Sequence, residues 1–162
     1  MIHAKTCFVA EGVTIDRDTN QVSAHNLIED IEASSYPLLI QKLAFFCLWE
    51  RARDDPAQCR SEFSITLDGE DLLRQPIDID FGQFLRNRCT SRLEGFTLAK
   101  PGTIVFRLAI PDHDAAEWSV TAGLTAPVAS GHGAGPRSGG SRNLWQSETV
   151  TKSFALESFH RR

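Results

Sequence analysis

The residues with the clearest potential for chemistry are the oxygen-bearing side chains of one short segment. Asp16, Asp18 and Asn20 alternate along the chain, as ligands do in the first half of a calcium-binding loop. The second half of that motif is missing, because Gln21 and Leu27 stand where the loop glycine and the bidentate glutamate belong. The same residue types build hairpin turns by hydrogen-bonding their own backbone, and this is the interpretation we favour.

A second loop could complete a calcium site. Asp112 and Asp114 follow Pro111, and loops at one end of a domain can combine their carboxylates around one cation. A calcium-binding sandwich that uses Asp16, Asp18, Asn20, Asp112 and Asp114 is therefore the alternative hypothesis. We expect no other cofactor.

The usual catalytic motifs are missing from the sequence. It contains no Gly-x-Ser-x-Gly nucleophile turn and no phosphate-binding glycine loop that ends in Lys-Ser or Lys-Thr. The five histidines stand singly, without the HExxH spacing of a metalloprotease. We therefore expect a protein that is not an enzyme.

Four cysteines are spread over the first 89 residues, at Cys7, Cys47, Cys59 and Cys89. No two have the spacing of a CxxC motif, so a zinc knuckle or thioredoxin-like site is not predicted. We expect reduced thiols that pack as small apolar groups. The alternative is a disulfide between Cys47 and Cys59, on the assumption that both lie on consecutive strands of one hairpin.

Strands are the elements that must position these residues. Apolar and polar residues alternate in segments of strand length separated by turn signals, and no long amphipathic helix pattern interrupts them. In the longest segment Leu39, Leu43 and Phe45 are expected to share an inner face with Cys47 and Trp49. Residues 1–125 are thus predicted to form a seven- to eight-stranded antiparallel β-sandwich, immunoglobulin-like or related. The predicted buried aromatic and aliphatic residues between its sheets are Phe45, Trp49, Phe63, Ile65, Phe106 and Trp118.

A set of short motifs is spread over residues 4–123. They are the run Cys7-Phe8-Val9-Ala10-Glu11, Asp18, Ser23, Asn26, Pro37, Gly95-Phe96 and Pro101-Gly102. This set resembles a family of small bacterial β-sandwich proteins that has no assigned function. The resemblance implies the sandwich fold, but it supplies no catalytic or binding residues.

Charge and hydrophobicity limit the kinds of partner. Residues 1–125 contain 12 basic and 19 acidic side chains, and an acidic body is a poor platform for nucleic acid. The longest apolar runs fall far short of the ~20 residues that span a bilayer, and the first residues lack a signal-peptide pattern. We expect a cytoplasmic protein that binds neither nucleic acid nor membranes.

The C-terminal part of the chain has a different composition. In residues 126–142, 13 of 17 residues are Gly, Ala, Ser or Pro, which predicts a flexible linker. Residues 143–162 again contain large apolar side chains together with basic residues, so we expect a docking segment. It could dock on its own body or on a neighbour, as helix or strand, and the length of the linker favours a neighbour. The predicted partner-binding residues are Trp145, Val150, Phe154, Leu156 and Phe159.

These observations predict a non-catalytic adaptor or assembly module of a bacterial cytoplasm. Its partner would be another protein or a second copy of the chain.

Overall fold

Two β-sheets packed face to face form the fold. The computed structural model describes residues 1–125 and the course of residues 154–159. In these ranges no helix is present, so none is long and apolar enough to cross a membrane. The strands are β1 (His3–Ile15), β2 (Val22–Leu27), β3 (Asp30–Ala33), β4 (Leu38–Glu50), β5 (Gln58–Leu67), β6 (Glu70–Asp80), β7 (Arg86–Leu98), β8 (Gly102–Ala109), β9 (Ala115–Leu124) and β10 (Phe154–Phe159).

The first sheet has the order β10-β7-β4-β1-β2 and the second the order β3-β9-β8-β5-β6. This confirms the predicted β-sandwich, although residues 1–125 contain nine strands rather than seven or eight. The additional strand is β3, whose four residues are too few for alternation to reveal. It runs parallel to β9, so the sandwich is not entirely antiparallel as predicted.

Local turn chemistry explains one of the hairpins directly. Asp68 and Gly69 have φ angles of 50° and 85°. Two consecutive positive φ values match the twist of a two-residue hairpin loop, for which Asp-Gly is a preferred sequence. The turn joins β5 to β6, which pair as an antiparallel hairpin.

The core lies between the two sheets and is rich in aromatic rings. Phe45 lies 5.4 Å from Phe63 and 6.4 Å from Phe106, measured between ring centroids. Because β4 belongs to one sheet and the other two rings to the facing sheet, these contacts join the layers. The burial of Phe45, Trp49, Phe63, Ile65 and Phe106 is confirmed, whereas Trp118 is partly buried against the core.

The prediction that Leu39 shares the inner face of β4 is wrong. Its side chain is 52% exposed, whereas Leu38 and Ile40 pack against the core. Up to Ile40 the core-facing residues of β4 have even numbers, and from Leu43 onward they have odd numbers. The change lies opposite Gly95 of β7, which has a φ of 66°. Strands β4 and β7 thus change faces together, which a strict two-residue period cannot reproduce.

The predicted hairpin geometry of Cys47 and Cys59 is also wrong. Strands β4 and β5 belong to different sheets, and the lateral neighbours of Cys47 are Cys7 on β1 and Cys89 on β7. The four cysteines, all in the described region, are free thiols. Burial raises the pKa of the Cys89 thiol to about 12 and raises that of Cys47 as well, so both remain protonated at neutral pH.

Candidate functional site

The outer edge of β7 carries a strand from the C-terminal segment of the same chain. β4 pairs with one side of β7 along its whole length, and β10 pairs antiparallel with the other side. The register runs from Phe154 opposite Leu93 to Phe159 opposite Arg88. A segment predicted from composition to dock therefore lies on a sheet edge, as a strand and not as a helix.

The structure places three of the predicted docking residues on this edge. Phe154, Leu156 and Phe159 belong to β10, whereas Trp145 and Val150 lie outside the described residues. The strand lies in the sheet of its own chain, and docking on a neighbour, which the linker length favours, stays a prediction. Partner binding by these five residues remains a prediction.

The part of β7 beside β10 is buried and includes an unsatisfied hydroxyl. Thr90 and Ser91 are 1% and 4% exposed. Among the described residues, the Ser91 hydroxyl has no hydrogen-bond partner. A buried hydroxyl without a partner costs about 1–3 kcal/mol, so this position is not optimised for stability.

The acidic residues of the β1–β2 turn stabilise the turn itself. The Asp16 carboxylate accepts hydrogen bonds from the Thr19 amide at 2.7 Å, the Thr19 hydroxyl at 2.8 Å and the Asp18 amide at 2.9 Å. These donors, with Thr19 contributing most, lower the pKa of Asp16. Asn20 has a φ of 57° and its side-chain oxygen accepts a hydrogen bond from Arg88 at 2.6 Å. The geometry is that of the hairpin turn we favoured.

The second predicted calcium loop lies at the other end of β1. The Asp114 amide donates to the Ile2 carbonyl at 3.4 Å, next to the start of the strand, whereas Asp16 follows its last residue. Asp112 and Asp114 are therefore not brought together with Asp16, Asp18 and Asn20. Nor do residues 1–125 contain any group of three His, Cys, Asp or Glu side chains arranged to hold a metal ion.

The β1–β2 hairpin covers part of the outer face of the first sheet. The Phe8 and Phe46 rings stack there with centroids 5.0 Å apart, in a small apolar cluster that also buries Val13 and Ala44. At the tip of the hairpin, Arg88 of β7 donates to the Asn20 carbonyl at 3.0 Å, which ties the turn to a strand two positions away in the sheet. This explains why β4 carries buried apolar residues on both faces.

Folding of the hairpin onto this face separates β1 from β4. Their pairing ends at Ala10 and Ala44, after which β1 pairs only with β2. Residues 38–43 of β4 therefore have no strand neighbour on that side within the described part of the chain. A cavity of about 230 Å³ lies where the strands diverge, lined by residues 11–14, 42–44 and 92–94. The change of period near Gln41 was the only sequence signal of this opening.

A second cavity, of about 420 Å³, lies at the end of β4. Its charged groups are already used in the fold, because Arg86 donates to Glu50 at 2.6 Å and Arg51 donates to the carbonyls of Asp55 and Phe84 at 2.8 and 3.0 Å. The hydrogen bond from Arg86 lowers the pKa of Glu50. These contacts fix the loop 51–55 and the turn after β6, so we assign them a structural role.

The chain matches no protein-family model and no curated protein.

Proposed function

We propose that this protein is a non-catalytic interaction module that assembles with protein partners by strand addition. The observation that carries the proposal is the pairing of β10 with β7, across a separation of more than fifty residues in sequence. In this mode of recognition backbone hydrogen bonds supply affinity, and alternate side chains supply specificity. The partner would be another protein or a second copy of the chain. On the resemblance of residues 4–123, we place this role in the bacterial cytoplasm.

Two further properties of the molecule support this function. The body is acidic, whereas residues 126–162 contain five basic and two acidic side chains, so the segment and the body attract each other. β10 could also be replaced by another strand without disturbing further pairings, because it follows a long connection and its only strand partner in the described structure is β7. A displaced β10 would leave the β7 edge open to another strand.

The proposal is tested by supplying the strand in trans. Full-length protein with Leu156→Pro and Ser158→Pro cannot form a regular β10, because proline lacks the amide hydrogen that a ladder needs. A fluorescein-labelled peptide of residues 152–160 should bind this variant more tightly than the wild-type chain, in which β10 occupies the edge. Hydrogen exchange should show protection of residues 88–93 when the peptide is bound.

The matched control is the same peptide with Leu156→Pro, which should not bind. If the wild-type peptide binds neither protein, or if it protects residues outside β7, the β7 edge does not accept strands and the proposal fails.

A further inference from the structure

We infer that Arg88 and Arg92 make the β7 edge selective for strands that carry Asp or Glu at the position opposite Thr90. This inference rests on the proposed function, since it names the chemistry of the strand that the edge accepts. The proposed function concerns pairing of the backbone, whereas the inference concerns the side chain that decides which strand pairs. It can therefore fail while the proposed function stands.

Arg88, Thr90 and Arg92 share the outer face of the first sheet. Their partners on β4 belong to the apolar cluster of that face or pack against it, and are Leu48, Phe46 and Ala44, respectively. Residues opposite each other in an antiparallel ladder have their side chains on the same face of the sheet. Two arginine side chains therefore flank Thr90, which is 1% exposed.

The one acidic residue of β10 stands at the level between these arginines. Glu157 is the partner of Thr90 in the ladder, and the residues two positions before and after it are paired with Arg92 and Arg88. Such diagonal neighbours lie about 7–8 Å apart, within reach of long side chains. A strand in this register thus brings a carboxylate to the level between both guanidinium groups. A slip by one residue would move the acid to the other face.

Arg88 is held in place by the turn between β1 and β2. Its Nη1 donates to the Asn20 carbonyl at 3.0 Å and to the Asn20 side-chain oxygen at 2.6 Å. Both acceptors are uncharged, so these two hydrogen bonds fix the position of the guanidinium group without altering its charge. A group that is already positioned loses less conformational freedom when it meets a carboxylate.

Acidic side chains of the body lie at another level of the sheet. Glu11 and Glu94 line the cavity of about 230 Å³ that Arg92 also lines. Glu94 is opposite Lys42 in the ladder with β4, and Glu11 accepts a hydrogen bond from Asn26 at 2.6 Å. Neither is opposite β10, whose ladder with β7 ends at residue 93. An acid at the level between the two arginines therefore comes from the added strand.

The first test changes the strand and leaves the protein unchanged. It uses the full-length protein with Leu156→Pro and Ser158→Pro and the fluorescein-labelled peptide of residues 152–160. The peptide with Glu157→Gln should bind about threefold to tenfold more weakly, because opposite charges on neighbouring strands each contribute modestly. The control peptide carries Glu157→Gln and Ser153→Glu, which keep the net charge but move the acid outside β10. It should bind as weakly as the peptide with Glu157→Gln alone.

The second test reverses a charge on β7 in the same proline-containing protein. The ratio of the affinities for the wild-type peptide and for the peptide with Glu157→Lys should fall at least about fivefold in Arg92→Glu. Arg53→Glu is the matched control, because Arg53 is exposed in the loop after β4 and the change in net charge is the same. This control should leave the ratio unchanged. Raising the ionic strength should narrow the difference between the peptides.

Three results would overturn the inference. The wild-type peptide and the peptide with Glu157→Gln could bind equally, the control peptide with Ser153→Glu could bind as well as wild type, or Arg92→Glu could leave the affinity ratio unchanged. In each case, protection of residues 88–93 by the bound peptide would leave the proposed function intact. If no peptide binds, the proposed function fails and the inference fails with it.

Discussion

Two leucines of β4 provide a direct test of where the strand changes faces. Leu39 and Leu43 have the same side chain and lie four residues apart, so strict alternation would give truncation to alanine the same cost at both positions. In the structure Leu43 is 2% exposed within the core, whereas Leu39 is 52% exposed. Their free energies of unfolding should therefore respond very differently.

The expected magnitudes follow from burial. Leu43→Ala removes buried methyl groups and leaves a cavity, which costs about 2–5 kcal/mol. Leu39→Ala removes a side chain that is only half buried, and full burial of leucine contributes about 1.5–3 kcal/mol, so we expect a cost of at most about 1 kcal/mol. Against a total stability of about 5–15 kcal/mol, Leu43→Ala should shift the denaturation midpoint clearly.

Urea denaturation followed by tryptophan fluorescence measures both values. Equal slopes in denaturant would show that each variant unfolds from a native state of similar compactness. If Leu39→Ala costs as much as Leu43→Ala, β4 keeps one inner face throughout, and the change of faces at the level of Gly95 is refuted.

Three other predictions test particular groups. Because the pKa of Asp16 is lowered in the folded protein, its contribution to stability is present above the unfolded-state pKa and is lost as pH falls through the folded-state pKa. Asp16→Asn should therefore make the melting temperature less sensitive to acid. An unchanged dependence of the melting temperature on pH would contradict the hydrogen bonds to the Asp16 carboxylate. Cys47 and Cys89 should not react with a thiol reagent at pH 8 until urea unfolds the protein, because burial raises the pKa of both thiols. Rapid labelling of either cysteine in the native state would contradict its burial. Ser91→Ala should stabilise the protein by up to about 1 kcal/mol in the same denaturation assay, because it removes a buried hydroxyl that has no hydrogen-bond partner. A loss of stability would instead indicate that the Ser91 hydroxyl forms a hydrogen bond.

The candidate docking site was predictable only in part. The composition of residues 143–162 identified a segment with docking potential, because large apolar side chains return after a run of small residues. Whether Phe154–Phe159 forms a helix or a strand could not be decided, since its apolar residues fit both periods. The edge on which it lies depends on the sheet order, which places β7 beside β10. Neither the sequence of β7 nor that of β10 predicts this pairing.

The sequence by itself determined the features that depend on neighbouring residues. Alternation gave the sandwich class because successive side chains on a strand point to opposite faces, and Asp68-Gly69 gave a hairpin because these residues accept the positive φ angles of its turn. The Asp16 turn was likewise predictable, since its hydrogen bonds close within a few residues.

Only the tertiary structure decided which strands become neighbours. Cys47 and Cys59 are near in sequence but lie in different sheets, whereas Cys47 pairs with Cys89. The change of faces on β4 and the departure of β1 after Ala10 likewise depend on contacts with strands distant in the chain. The two-residue period is set by the local backbone, but pairing is set by burial and hydrogen bonding summed over the whole sandwich, and no segment carries that sum alone.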